Sequence, residues 1–173
     1  MSANAGRSKT NPPRPSTPDT RPSVRTGTVL AFDFGTKRIG VAVGDFEIRL
    51  AHPLATIAVA ETRARFAAIE RLIVEWRPAL LVVGCPSHAD GREHPVGKLA
   101  RRFAQRLQGR FGVRAELVDE RLTSHEAAGM LRGSGARGAR LKAGLDAVAA
   151  QRILETFFEK DERRETRDGG AET

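Results

Sequence analysis

The 173-residue chain contains no tyrosine, one tryptophan, one cysteine and two methionines. A lone Cys85 rules out an internal disulfide framework and agrees with a reducing cytoplasm. Aromatics at 5% leave few rings on which bases could stack. Any nucleic-acid recognition must then lean on phosphate contacts and shape, with little base readout. No segment approaches the ~18 apolar residues of a membrane span, so no membrane partner is expected. Residues 1–28 also lack the roughly 7–15-residue apolar stretch of a secretory signal. They hold five of the nine prolines and five Lys/Arg against one Asp. With no apolar stripe to bury, this segment reads as a disordered basic tail, and residues 161–173 as a disordered charged one.

What is present suits one compact α/β domain over residues 29–160, since 40% of the chain is hydrophobic. The net charge is +8, of which +6 falls within 29–160. A basic domain points to a polyanion, above all nucleic acid.

Residues 29–34 form an apolar run, 35–37 break it, and 38–45 resume with Ile39, Val41 and Val43 alternating, which predicts a β-hairpin. A third strand is expected at 55–59. Phe66, Ile69, Ile73 and Trp76 mark a helix over 61–76, stopped by Pro78. A buried strand follows at 79–83, then a turn-rich stretch over 84–95. A helix at 96–110 and a strand at 113–118 come next. Thr123 and Glu126 have capping-box spacing for a short helix to 131. Residues 133–142 read as a glycine-rich basic loop, and a last helix is expected at 144–160. The order predicts a mixed five-stranded sheet with helices on both faces.

Three acids stand where elements begin or end. Asp33 closes an apolar strand, where a carboxylate needs a partner. Lys37 or Arg38 could supply an ion pair; alternatively Asp33 binds a metal while those two cations neutralise a phosphate. Asp146, Ala149, Ala150, Ile153 and Phe157 follow one helical stripe, which places that carboxylate on a buried face. Asp119 and Glu120 end the last strand, and alternation lets only one of them share the cleft. Three such acids resemble the cluster that holds two divalent ions about 4 Å apart. His88 and His94 flank Asp90 and Gly91 without ligand spacing and read as exposed loop residues. Arg137, Arg140 and Lys142, with no acid among them, suit a phosphate clamp.

Four stretches then carry a family resemblance: LAFDFGTKRIGVAVGD (30–45), VVGCPSHADG (82–91), VDERLTSHEAAGML (118–131) and LDAVAAQRIL (145–154). In this order they resemble the bacterial YqgF/RuvX group of nucleases in the ribonuclease-H-like superfamily. The resemblance implies a catalytic triad of Asp33, Glu120 and Asp146 binding two magnesium or manganese ions, and it favours Glu120 over Asp119. It implies cleavage of RNA at the 5′ end of the pre-16S rRNA, or of branched DNA in the manner of a Holliday-junction resolvase. Symmetric junction resolution calls for a homodimer, whereas RNA trimming needs only a monomer. The stretch Ser87-His88-Ala89 departs from the bulkier residues usual in that loop. DFGTKR is also similar to the first phosphate loop of actin-like ATPases, but this chain is too short for their second domain. A non-catalytic RNA-binding module is the remaining alternative.

Overall fold

The computed structural model describes residues 25–86, 95–119 and 139–168; the side chains of 139–143 and 168 fall outside that description. Strand β1 (Thr28–Phe34) is buried along its centre. The turn after it depends on Gly35, where a Cβ would lie 2.5 Å from the Arg38 carbonyl oxygen. Strand β2 (Ile39–Asp45) returns antiparallel, with Asp33 opposite Gly40.

Strand β3 (Ala51–Ile57) starts before the expected position and ends sooner. Pro53 obscures it in the sequence. As the outer strand, β3 tolerates a missing N–H, and its pairing shifts register between Val41 and Ala42. Helix α1 (Thr62–Trp76) is capped by Glu61, whose carboxylate accepts the N–H groups of Arg63 and Ala64 at 2.7 Å each. Arg77 takes a left-handed φ of 45° and ends the helix ahead of Pro78.

Strand β4 (Leu80–Cys85) pairs parallel with β1, helix α2 (Pro95–Phe111) follows, and β5 (Ala115–Asp119) pairs parallel with β4. Helix α3 (Ala139–Asp168) closes the described chain. The sheet order β3-β2-β1-β4-β5 is the mixed five-stranded arrangement expected. On one face, Phe66 and Ile69 of α1 and Phe103 and Leu107 of α2 pack on Leu30, Phe32, Leu81 and Val83. On the other, Ile153, Leu154, Phe157 and Phe158 of α3 pack on Val29, Ala31, Val82 and Val118.

Ordered contacts extend on either side of residues 29–160. Arg25 lies in the segment read as a tail, yet it pairs with Asp161 at 3.4 Å and Glu116 at 3.1 Å. Helix α3 includes residues 139–142 of the expected loop and continues to Asp168. Long-range partners hold that extension: Asp161 is buried against Arg25, and Arg49 pairs with Glu165. The helix expected over 123–131 lies outside the described residues. Among the described residues no helix is long and apolar enough to cross a membrane.

Candidate active site

Side chains alternate along β1, so Val29, Ala31 and Asp33 face α3 while Leu30, Phe32 and Phe34 face α1 and α2. Asp33 therefore ends the α3-facing row. In β2 that same face is Gly40, Ala42 and Gly44. A Cβ on Gly40 would come to 1.8 Å from the Asp146 carbonyl oxygen, and one on Gly44 to 2.9 Å from Leu154 Cδ2 and Phe158 Cε2. The backbone of α3 thus rests directly on β2. Because Gly40 is opposite Asp33 in the hairpin, this contact delivers Asp146 to Asp33. The stripe below Asp146 is buried as expected at Ala150, Ile153 and Phe157; Ala147, rather than Ala149, is the second buried alanine.

Burial pushes the Asp33 carboxyl up from 3.8 to about 6, and the charge of Asp146 adds to the rise. Arg38 serves Asp146 instead of Asp33: its Nε is 3.2 Å from Asp146 Oδ2. That contact is within ion-pair range but is not aligned as a hydrogen bond, and Oδ2 is a buried oxygen with no hydrogen-bond partner. Asp33 has no ion pair among the described residues, and Lys37 stands exposed in the turn. Two partly desolvated carboxylates, with one oxygen unsatisfied, form a donor set suited to a hard divalent cation.

In β5, Glu116 and Val118 face α3, whereas Ala115 packs with the α2-side core. Asp119 shares the parity of Ala115 and is turned away from the Asp33 face. Glu120, Arg137, His88 and His94 lie outside the described residues, as do the side chains of Arg140 and Lys142, whose backbone is helical. Among the described residues no three candidate ligands gather.

The sequence reading missed Arg65. Only 9% exposed, it donates from Nε to the Val59 carbonyl at 3.0 Å and from Nη2 to the Thr36 carbonyl at 2.8 Å. It ties α1 to the turn that carries Lys37 and Arg38. The signal was present: Arg65, Ile69, Leu72 and Trp76 share the i, i+4, i+7, i+11 spacing that singled out Asp146.

Residues 27–160 match the family described as RuvX, Holliday junction resolvase. The chain is 53% identical over 137 residues to a candidate pre-16S rRNA nuclease of Nitrosomonas europaea, covering 79% of this chain and 93% of that one. It is 57% identical over 132 residues to a like-named protein of Chromobacterium violaceum, covering 76% and 96%. Among solved structures, Thermus thermophilus RuvC in complex with a Holliday junction substrate is 19% identical with a TM-score of 0.49, covering 84% of this chain and 98% of that one.

Proposed function

The chain belongs to the RuvX family, and from that premise we propose that it is a metal-dependent endonuclease processing the 5′ end of pre-16S rRNA in the cytoplasm. One observation carries the reading: Asp33 and Asp146 converge at one end of the sheet with a raised carboxyl and an unsatisfied buried oxygen between them. Among the described residues Asp33 has no ion pair, and Asp146 has only that with Arg38.

Asp33, Asp146 and Glu120 are the proposed ligands of two magnesium or manganese ions. Even positions of β5 face α3, so parity favours Glu120 over Asp119 as the third. A bound pair of such ions supplies an activated water and stabilises the leaving oxygen. The chain's own residues do the rest. Asp33 would serve as a ligand in its ionised form. Arg38, on the rim beside Asp146, is placed to take a phosphate oxygen, with Lys37 next to it. Arg65 fixes the turn on which both stand. Arg137, Arg140 and Lys142 would add phosphate contacts.

The family description favours a second reading, resolution of four-way DNA junctions, which requires two sites and hence a homodimer. Purified protein incubated with precursor rRNA and with a four-way junction, each with magnesium, manganese or chelator, separates the two. Cation-dependent cleavage of the RNA alone is expected. Cleavage of the junction alone would assign resolution, and activity that ignores chelator would sink the metal site.

A further inference from the structure

Net charge is distributed unevenly among the helices. Helix α1 carries three arginines and two glutamates, and α3 carries seven bases and seven acids. Helix α2 carries Lys98, Arg101, Arg102, Arg106 and Arg110 and no acid. Five of the six net charges in residues 29–160 therefore sit on this helix, and the remainder is close to neutral.

The five cations are exposed, while Gly97, Ala100, Phe103, Ala104 and Leu107 are buried against the sheet. Arg102, Arg106 and Arg110 recur every fourth residue, so they form a row with steps of about 6 Å along the helix axis. None of the three has an ion pair among the described residues. Arg106 and Arg110 lie over the Phe66 ring, with Cζ 5.1 and 5.4 Å from its centroid. That stacking orders the guanidinium groups yet leaves their N–H donors available.

The row also starts at the correct edge. Cys85 Sγ, at the end of β4, contacts the Gly97 carbonyl at 3.8 Å, and the Phe103 ring packs 4.9 Å from that of Phe34, the neighbour of Asp33. A strand held at Asp33 and continuing over this edge meets α2. Building on the nuclease reading, we propose that α2 is a docking ridge for the phosphate backbone of the RNA beyond the cleaved bond, with Arg102, Arg106 and Arg110 as its contacts.

The test uses the full chain without metal and a fluorescent single-stranded RNA of about 20 nucleotides, titrated at several salt concentrations. The triple variant Arg102→Gln, Arg106→Gln, Arg110→Gln should flatten the slope of log affinity against log salt by about 2, roughly 0.7 for each phosphate that is no longer neutralised, and weaken binding at least ~10-fold near 0.1 M salt. A control, Arg163→Gln, Arg164→Gln, Arg167→Gln on α3, removes the same charge and should leave the slope unchanged. Equal effects from both variants, an unchanged α2 slope, or a parent that does not bind would each overturn the ridge. Should the α2 triple fail to fold, Arg106→Gln alone must lower the slope by about 0.7. Binding is read without cleavage, so failure of the nuclease reading shows in the parent's lack of activity, and failure of the ridge shows in the binding titrations.

Discussion

At the edge where the parallel strands begin, two acids have two arginines: Arg25 reaches Asp161 and Glu116, and Arg114 reaches Glu116 at 3.0 Å. Arg25 also lies 5.9 Å from the Phe46 and Phe157 ring centroids. At the edge where those strands end, Asp33 and Asp146 have one arginine among the described residues, Arg38, and it pairs with Asp146. The first edge is a matched ion cluster, whose groups hold the N-terminal segment, β5 and α3 together. The second carries surplus negative charge that the fold tolerates because α3 is pinned to β2 at Gly40. On the proposed reading the first set of acids is structural and the second functional, and the balance of partners tells them apart. The surplus lies beyond the carboxyl ends of parallel strands, where α/β sheets commonly bind ligands.

Neutralising the surplus is the most severe way to test that contrast. Asp33→Asn or Asp146→Asn should lower cleavage by at least ~100-fold, about 2.7 kcal/mol of transition-state stabilisation. The metal-free variants should melt at the parent's temperature or above it, since each removes repulsion. A clear drop in melting temperature would make the carboxylate a structural partner in the manner of Asp161. Gly40→Ala attacks the pin itself. Its methyl group would meet the Asp146 carbonyl, so α3 must shift, at a cost of about 1–3 kcal/mol, and cleavage should fall with the displaced carboxylate. A variant with parent-like stability and activity would show that Gly40 does not set the position of Asp146.

The two edges were unequally legible in the sequence. The edge of the proposed site rests on local patterns: β1 alternation puts Asp33 on the α3 face, and a single helical stripe carries Asp146. The choice between Asp119 and Glu120 is not local: strand alternation alone leaves it open, and Glu120 lies outside the described residues. The structural edge rests on pairs far apart in sequence. Arg25 looked like a tail residue among prolines, and Asp161 like one in a charged tail, until each supplied the other's partner. The end of α3 was hidden for the same reason, since Arg49 engages Glu165 across the fold. Pro53 hid the start of β3, because nothing in the sequence marks β3 as the outer strand.

A third test uses pH. Folding raises the Asp33 carboxyl from 3.8 to about 6, so the folded state holds its proton more tightly than the unfolded chain. Its contribution to stability is complete below about pH 4 and disappears as pH rises through about 6. Converted in full, that difference is ~3 kcal/mol; residual contact with water reduces it to about 1–2 kcal/mol. Denaturant unfolding in chelator should show the parent losing stability relative to Asp33→Asn across this window. Parallel curves for the two proteins would mean that the carboxyl is as well solvated in the fold as outside it.

The smallest effect belongs to the matched edge. Arg25→Ala leaves Asp161, whose side chain is 5% exposed, without its guanidinium, whereas Glu116 keeps Arg114. Losing one partner of a fully buried pair is severe, but the Arg25 side chain is 29% exposed, and water can enter where it stood. The expected cost is therefore about 1 kcal/mol, or a melting temperature lower by roughly 2–4 °C. Cleavage should stay within about 2-fold of the parent, because Arg25 stands at the opposite end of the sheet from Asp33 and touches neither carboxylate of the site. Adding Asp161→Asn removes the orphaned charge and should recover part of the lost stability, a gain that the same substitution should not produce in the parent. If Arg25→Ala instead reduced cleavage while sparing the melting temperature, the two edges would be coupled, and the division between a structural and a functional set of acids would fail.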